Sequence, residues 1–231
     1  GDNCAADGNL VVTSTQTNTG TCPIVITRTY KVTDPCLNTS VNIIHTINVD
    51  DNTAPAVTGS ITPTTVEGCA VAAAPAPVTT VAALEALTGS PQITDACTVD
   101  RSMVVTSTQT STGTCPIVIT RTYKVTDVCL NTSVDIIHTI NVDDNTAPGV
   151  TGSLTPTNVE GCTVGAAPAA VTTVAALEGL AGNLQISDAC TVDGSLVVTN
   201  TQTSTGTCPI VITRTYKVTD AWLNTSVNII H

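Results

Sequence analysis

Apolar and polar residues alternate strictly along several stretches of the chain, a pattern that predicts half-buried antiparallel β-strands. Over 117–126, one face carries Ile, Ile, Arg, Tyr and Val, and the other carries Val, Thr, Thr, Lys and Thr. Over 134–142, the inward row would be Val134, Ile136, His138, Ile140 and Val142. A further strand is predicted over 102–110, and the Ser-Thr-Gly-Thr sequence at 111–114 joins it to 117–126 as a hairpin.

The remaining stretches predict shorter elements. Residues 55–68 contain prolines and indicate one or two strands, while 81–87 indicate one or two helical turns that Gly89 ends. Short strands at these spacings are typical of a β-sandwich of immunoglobulin type. The predicted fold class is therefore all-β, with disulfide-braced antiparallel β-sandwich repeats in tandem.

The same sequences return at a fixed spacing of 93 residues. ITRTYKVTD occurs at 26–34, 119–127 and 212–220, and VDDNTAP occurs at 49–55 and 142–148. Taking VDDNTAP as the boundary gives three predicted domains: the C-terminal part of a first repeat (1–52), a complete second repeat (53–145) and a third repeat lacking its last few residues (146–231). We interpret the chain as a window on a longer array, in which neighbouring repeats stack and chains self-associate along a fibre.

Composition excludes several classes of function. Seven Lys and Arg against eighteen Asp and Glu exclude a basic nucleic-acid binder. With 2% aromatic residues, the chain also lacks stacking platforms for bases or sugars. No apolar run reaches the roughly 18–20 residues of a transmembrane helix, so no membrane span is expected in this segment.

The stretch ITRTYKVTD, followed by a Cys-x-Asn-Thr-Ser sequence, a strand and VDDNTAP, resembles the immunoglobulin-like repeats related to hyalin repeats. Such repeats occur in very large secreted surface proteins and adhesins of gliding-type bacteria, so the resemblance implies an extracellular location, secreted or at the cell surface. Those repeats commonly carry Cys-Gly-Asn, where this chain has Leu37, Leu130 and Leu223 in place of Gly.

The ten cysteines follow the same period. Four cysteines per complete repeat, with no indication of a cytosolic role, predict a disulfide framework. Zinc is the weaker interpretation, because there is no Cys-x-x-Cys pair and the chain has three histidines.

Four cysteines allow three pairings. If the hairpin turns on Gly113, position 97 lies opposite position 129, which favours Cys97–Cys129 and, by elimination, Cys69–Cys115. The equivalent bridges elsewhere would be Cys4–Cys36 and Cys162–Cys208, with Cys190 left opposite Trp222. The rival pairing is Cys69–Cys97 with Cys115–Cys129, which leaves Cys208 unpaired instead.

The acidic linker is the best candidate for a binding site. Asp50-Asp51-Asn52 and Asp143-Asp144-Asn145 precede Thr-Ala-Pro, and the linker resembles the calcium-holding junctions of cadherin-type repeats. The strand order would bring turns of the following repeat to each linker: Asp95 and Asp127 to the first, and Asp188 and Asp220 to the second. Converging carboxylate and amide oxygens suit Ca²⁺. The alternative is a solvated acidic turn in which Asp and Asn cap backbone groups.

No arrangement of residues predicts catalysis. His45, His138 and His231 occupy one repeat position, and no nucleophile has an independently indicated base. We therefore expect a non-enzymatic structural and adhesive protein whose stacked modules form a stalk or filament on a bacterial surface. The alternative is an adhesin module that binds a receptor or glycan through its loops, with calcium-stiffened linkers. The near-identity of loops such as STGTCP between repeats favours the first hypothesis.

Overall fold

A computed structural model describes residues 6–231, which fold mostly into antiparallel β-sheet with two short α-helices. In chain order the strands are β1 (Val11–Thr19), β2 (Ile24–Thr33), β3 (Ile43–Val49), β4 (Ala56–Thr58), β5 (Thr64–Glu67), β6 (Gln92–Thr94), β7 (Val104–Thr112), β8 (Ile117–Thr126), β9 (Ile136–Asp143), β10 (Gly149–Thr151), β11 (Gln185–Ser187), β12 (Val197–Thr205), β13 (Val211–Thr219) and β14 (Ile229–Ile230). The α-helices are α1 (Val81–Glu85) and α2 (Val174–Glu178), and single 3₁₀ turns occur at Asp7–Asn9, Val71–Ala73, Asp100–Ser102, Val164–Ala166 and Asp193–Ser195.

The strands β1, β2 and β3 form a three-stranded antiparallel sheet. Its hairpin register pairs Thr19 with Val25, so the hairpin is centred on Cys22. Gly20, at the start of the turn, has φ +80°, and a Cβ there would lie 2.5 Å from the Pro23 carbonyl oxygen. The predicted hairpin exists, but its centre lies two residues beyond the glycine on which the sequence argument placed it.

The next copy of this hairpin, β7 and β8, lies in a four-stranded sheet with the order β5-β9-β8-β7. Here β5 pairs in parallel with the end of β9, a pairing that alternation alone did not predict. The predicted inward rows are confirmed along β8 and β9, where Ile119, Tyr123 and Ile140 are fully buried. Val134, which the pattern placed in the same row, precedes β9 and is exposed.

The third copy forms the sheet β12-β13-β14, and the pairs β4-β6 and β10-β11 make two small antiparallel ladders. Residues 157–160 repeat the Thr-x-Val-Glu pattern of β5 without forming a strand. In the second copy β5 pairs with Ile140–Asp143, while β14 contains only Ile229–Ile230.

Both helices follow a Thr that caps them. The Thr80 hydroxyl accepts a hydrogen bond from the Ala83 amide at 3.2 Å, and Thr173 does the same at the second helix. Leu84 and Val81 are buried. The Glu85 carboxylate accepts the Ile93 amide at 2.8 Å, which holds the helix against β6. The helical segment predicted over 81–87 is confirmed as the short helix Val81–Glu85, which is fixed by a cap, a buried face and one carboxylate.

The chain divides into two compact units whose bounds differ from those of the predicted repeats. The first contains the described residues up to Thr62, Pro77–Thr108 and Thr122–His138, and the second contains Pro63–Ala76, Gln109–Arg121 and Thr139–His231. The aliphatic core of the first unit surrounds Tyr123 and Leu84. The second unit has a core around Tyr216 and Leu177 and a smaller one around Ile119 and Ile140.

Candidate functional site

Two disulfides join distant parts of the sequence. Cys22 is bonded to Cys129, 107 residues away, with Cα atoms 5.2 Å apart. Cys69 is bonded to Cys190, 121 residues away, with Cα atoms 5.1 Å apart. Because both separations exceed the 93-residue period, each bridge connects a residue of one sequence repeat to a residue of the next.

The pairings predicted within a repeat are therefore wrong. Neither Cys69–Cys115 nor Cys97–Cys129 forms, and Cys162 and Cys208 are free thiols. The rival pairings, Cys69–Cys97 and Cys115–Cys129, do not form either. Cys36 is also free, and its predicted partner, Cys4, lies outside the described residues.

The error has a physical cause. The hairpin is centred on its cysteine rather than on its glycine, so position 97 is not the cross-strand partner of position 129. Cys97 instead lies in a turn, where the Asp95 carboxylate accepts its amide at 2.9 Å. A cysteine at a hairpin tip is free of strand pairing on either side and can bond to a neighbouring repeat.

A second bridge of the Cys22–Cys129 type would begin at Cys115, but its partner cysteine is missing. Cys115 occupies the repeat position of Cys22, but the position equivalent to Cys129 is Trp222. The Cys115 thiol lies 3.8 Å from the Ala221 carbonyl oxygen, next to the substituted residue. The indole nitrogen of Trp222 is buried without a hydrogen-bond partner. The tryptophan therefore occupies the position of the partner cysteine, and Cys115 is a free thiol.

The free thiols that the structure describes are exposed, and two of them lie in acidic surroundings. The negative charge of Asp51, followed by desolvation and the charge of Asp95, raises the pKa of the Cys97 thiol. Desolvation, followed by the charges of Asp143 and Asp220, raises the pKa of the Cys115 thiol. Both cysteines therefore form less thiolate, the reactive species, than an ordinary cysteine does at the same pH.

Three aspartates from separate parts of the first compact unit converge. One carboxylate oxygen from each of Asp51, Asp95 and Asp127 lies within 4.8 Å of the others. The backbone orients them: the Asp51 carboxylate accepts the Thr53 amide at 3.0 Å, and the Asp95 carboxylate accepts the Thr98 amide at 2.6 Å. The second oxygens of Asp51 and Asp95 are buried and have no hydrogen-bond partner.

The second unit repeats this acidic triad with Asp144, Asp188 and Asp220, again within 4.8 Å of one another. Asp144 is 3% exposed. One of its carboxylate oxygens accepts the Thr146 amide at 3.0 Å, and the other, Oδ2, is buried without a partner. Desolvation is the largest cause that raises the pKa of Asp144, and the interaction with the Glu67 carboxyl group and the charges of Asp188 and Asp220 add to it.

The prediction that both turns approach each linker is thus confirmed for six residues, the members of the two triads. The other four proposed ligands lie outside the triads. Asp50 and Asn52 are exposed, and Asp50 lies beside the Cys22–Cys129 bridge, whose bonded sulfurs offer no thiolate. The backbone of Asp143 accepts the Gly68 amide, and Asn145 donates its amide to Glu67.

A tight turn fixes Asp127 and attaches it to the linker. Its carboxylate accepts the amides of Cys129 and Asn131 at 2.8 and 2.9 Å, and the Asn131 side-chain amide at 2.9 Å. The same Asn131 Nδ2 donates to the Asp51 carbonyl at 2.9 Å. Between Cys129 and Asn131, Leu130 has φ +69°, in the left-handed region that favours glycine. The turn therefore holds Leu130, a non-glycine residue, in the left-handed conformation.

Glu67 lies beside the second triad, a position that the sequence pattern did not predict. Its carboxylate accepts the Asn145 amide at 3.1 Å and the Thr146 hydroxyl at 3.0 Å. Desolvation acts to raise the pKa of Glu67, but these hydrogen bonds outweigh it and lower the pKa below its usual value. Glu67 arrives there through the parallel pairing of β5 with β9, which no local sequence pattern indicates.

The histidines, which the sequence argument judged non-catalytic, occupy different environments. His138 is buried in the inward row of β9, whereas His45 is exposed. The His231 ring lies 2.7 Å from the Thr157 hydroxyl.

A shallow, open depression of about 380 Å³ lies beside Asp95 and is otherwise lined by Thr53, Ala54, Ala56, Thr94 and Ala96.

In the part of the chain that the structure describes, no helix is long and apolar enough to cross a membrane. The disulfides are compatible with an extracellular protein. No model of a known protein family matches the chain, and no curated protein matches it.

Proposed function

We propose that the chain is part of a structural and adhesive repeat protein, extracellular and of the immunoglobulin-like type that its sequence resembles, which forms a stalk or filament on a bacterial surface. The observation that carries the proposal is the pair of bridges, Cys22–Cys129 and Cys69–Cys190, because each spans more than one 93-residue period. Disulfides within a repeat would stabilise modules one at a time. Disulfides from one repeat to the next tie an array together.

Such bridges suit a load-bearing array for a mechanical reason. A pulling force on successive modules ordinarily acts on their non-covalent contacts, and a covalent crosslink carries part of that force instead. Each disulfide also constrains the unfolded chain, which typically raises the free energy of unfolding by about 2–4 kcal/mol. We propose that chains also self-associate along the fibre, and the proposal assigns the molecule no catalytic step.

The test is disulfide mapping of the native protein followed by imaging. Peptide mapping without reduction should recover the Cys22–Cys129 and Cys69–Cys190 crosslinks, and electron microscopy should show beaded rods or filaments. The Cys22→Ser/Cys129→Ser variant should give rods that bend more at the affected junction, while Cys36→Ser, at an exposed free thiol, should match the parent. Bridges confined to single repeats, or a compact monodisperse particle, would overturn the proposal.

We further propose that each acidic triad binds one Ca²⁺ ion that stiffens the linker. The observation in favour is Asp144, whose Oδ2 is buried without a hydrogen-bond partner beside two further carboxylates. Burying an unsatisfied carboxylate oxygen is costly, and a cation coordinated there removes the cost. The donors fit a hard ion, since all three are carboxylates, and Ca²⁺ prefers oxygen ligands.

Terbium luminescence and calorimetry would test the calcium proposal directly. The full chain should bind about two Ca²⁺ ions, one for each triad. Asp144→Asn should abolish one site and leave the other, while Asp50→Asn, outside both triads, should leave two. Absence of saturable binding at millimolar Ca²⁺, or equal effects of the two variants, would overturn it.

A further inference from the structure

The first strand of each hairpin lies at the edge of its sheet and leaves one side of its backbone unpaired. β1, β7 and β12 end the strand orders β1-β2-β3, β5-β9-β8-β7 and β12-β13-β14. Each has nine residues, and among the described residues no other segment of backbone bonds to its outer side. Free N–H and C=O groups along a sheet edge can pair with a further strand.

These three strands lack the features that usually prevent such pairing. Their sequences, VVTSTQTNT, VVTSTQTST and VVTNTQTST, contain no charged residue, no Pro and no Gly. β1 and β12 each pair with their neighbouring strand residue by residue, so no bulge turns either edge away. Of their side chains, only Val105 and Val198 are buried. The edges are therefore long, regular and accessible.

The opposite edge of the four-stranded sheet is protected. There β5, a four-residue strand that ends at Glu67, covers Ile140–Asp143 of β9. Short edge strands and charges at an edge both hinder pairing with another molecule. The middle strand of the three, β7, has repeat sequence on both sides of it in the chain, and its edge is as open as those of β1 and β12.

The edge sequence is complementary to itself. If two copies of β7 pair antiparallel with Thr108 opposite Thr108, Val104 lies opposite Thr112, and Thr106 lies opposite Thr110. This register keeps the inward and outward rows of both strands, because even positions meet only even positions. Directly opposed Thr side chains stabilise an antiparallel pair. The strand is also neutral in a chain of net charge −11, so the paired strands bring no like charges together.

We infer that β1, β7 and β12 are interaction edges at which a second copy of this chain adds its own equivalent strand, antiparallel, so that one sheet continues across two molecules. The partner strand is present in every copy, which presents it three times. Antiparallel pairing of identical strands is two-fold symmetric, the commonest symmetry of protein dimers. The inference deepens the proposed self-association and rests on it, because it names the contact between chains.

The experiment uses the full chain with its free thiols alkylated, so that any association is non-covalent. In sedimentation velocity, the average mass should rise between about 1 µM and about 1 mM protein. Hydrogen exchange followed by mass spectrometry should become slower in β1, β7 and β12 at the higher concentration, because the paired amides leave solvent. Exchange in β8, which already has a strand on each side, should not depend on concentration.

Two matched variants locate the contact. The edge variant carries Lys at the middle of all three edges: Thr15→Lys, Thr108→Lys and Thr201→Lys. The control variant adds the same charge at the equivalent positions of the neighbouring inner strands: Thr29→Lys, Thr122→Lys and Thr215→Lys. Circular dichroism and recovery of both native disulfides establish that each variant folds.

The two variants should differ in association. In the edge variant, a Thr–Thr contact is replaced by two ammonium groups on directly opposed residues, so the dissociation constant should rise by about tenfold. In the control variant, the two charges lie three strand spacings apart, about 14 Å, which exceeds the screening length at physiological salt. Its dissociation constant should change by less than about threefold.

Three results would overturn the inference. One is a chain that stays monomeric up to about 1 mM. Another is equal weakening of association by the edge and control variants. The third is association without slower exchange in β1, β7 or β12. Each of these leaves the mapping of the Cys22–Cys129 and Cys69–Cys190 crosslinks unaffected, so the inference and the proposed array can fail separately.

Discussion

Cys22 and Cys129 are bonded across 107 residues, from the tip of one hairpin to the turn that follows the equivalent hairpin of the next repeat. At that turn the carboxylate of Asp127 accepts the Cys129 amide, and Asn131 reaches back to the Asp51 carbonyl. The same few residues therefore hold the disulfide, the linker and the first acidic triad. A change in any of them should affect both covalent and electrostatic links along the chain.

Replacing Trp222→Cys should create the missing bridge to Cys115. The two positions are equivalent to Cys129 and Cys22, and the Cys115 thiol already lies near the backbone of Ala221. The expected gain in the free energy of unfolding is about 2–4 kcal/mol. Mass spectrometry without reduction should find the 115–222 crosslink, and thermal unfolding should shift upwards.

Trp222→Ser is the matched control for this variant, because it removes the indole without supplying a sulfur. Any stabilisation that comes only from relieving the buried, unpartnered indole nitrogen should appear equally in both variants. Reduction should return the cysteine variant to the level of the serine variant. A reduced pair of thiols at 115 and 222 under oxidising conditions would contradict the predicted periodicity of the bridges.

Leu130→Gly should stabilise the protein by about 0.5–1 kcal/mol. A left-handed conformation costs a non-glycine residue roughly 1–2 kcal/mol, and the larger conformational entropy of glycine in the unfolded chain offsets part of the gain. Leu130 has φ +69° and a largely exposed side chain, so little packing is lost. Chemical denaturation measures the change. Leu130→Ala controls for loss of the side chain and should not stabilise.

The strand pattern and the triads were predictable from sequence for a common reason. Period-two alternation fixes which residues of β8 and β9 face inward, and the strand order then brings Asp95 and Asp127 to the linker at Asp51. The disulfides were not predictable, because the hairpin is centred two residues beyond its glycine. Its cysteine therefore lies at the tip of the turn. Glu67 was missed because parallel pairing of β5 with β9 joins distant residues without a local signal.

In the ion-free protein, the titration of Asp144 should contribute a loss of stability as the pH rises. Its pKa in the folded state is raised, mainly by desolvation. A raised carboxyl pKa contributes stability that is fully present below the unfolded pKa of about 3.9 and is lost as the pH rises through the folded value. Urea denaturation in chelator from pH 4 to 8 measures this slope.

Asp144→Asn should flatten that slope, because the amide cannot ionise and its oxygen can still accept the Thr146 amide. Asp50→Asn, at an exposed position outside the triads, should leave the slope unchanged. If Ca²⁺ binds the triad, adding it should reverse the loss of stability at neutral pH in the parent and not in Asp144→Asn. An identical pH dependence in parent and Asp144→Asn would contradict the assignment.

The reactivity of Cys97 gives an independent measure of the first triad. The charge of Asp51 is the largest cause that raises the pKa of this thiol, so alkylation at pH 8 should be slower than for an unperturbed cysteine. Asp51→Asn should lower the pKa and speed the reaction, whereas Asp50→Asn should not. Peptide mapping after timed treatment with iodoacetamide gives the rate at each cysteine.

The same assay responds to a cation in the first triad. A Ca²⁺ ion held by Asp51, Asp95 and Asp127 would neutralise the charges that raise the Cys97 pKa, so alkylation should accelerate on adding Ca²⁺. Cys36, an exposed free thiol, serves as the reference in the same sample. Acceleration at Cys97 alone, lost in Asp51→Asn, is the expected result. An equal change at both thiols would mean that the ion acts through general screening rather than through the triad.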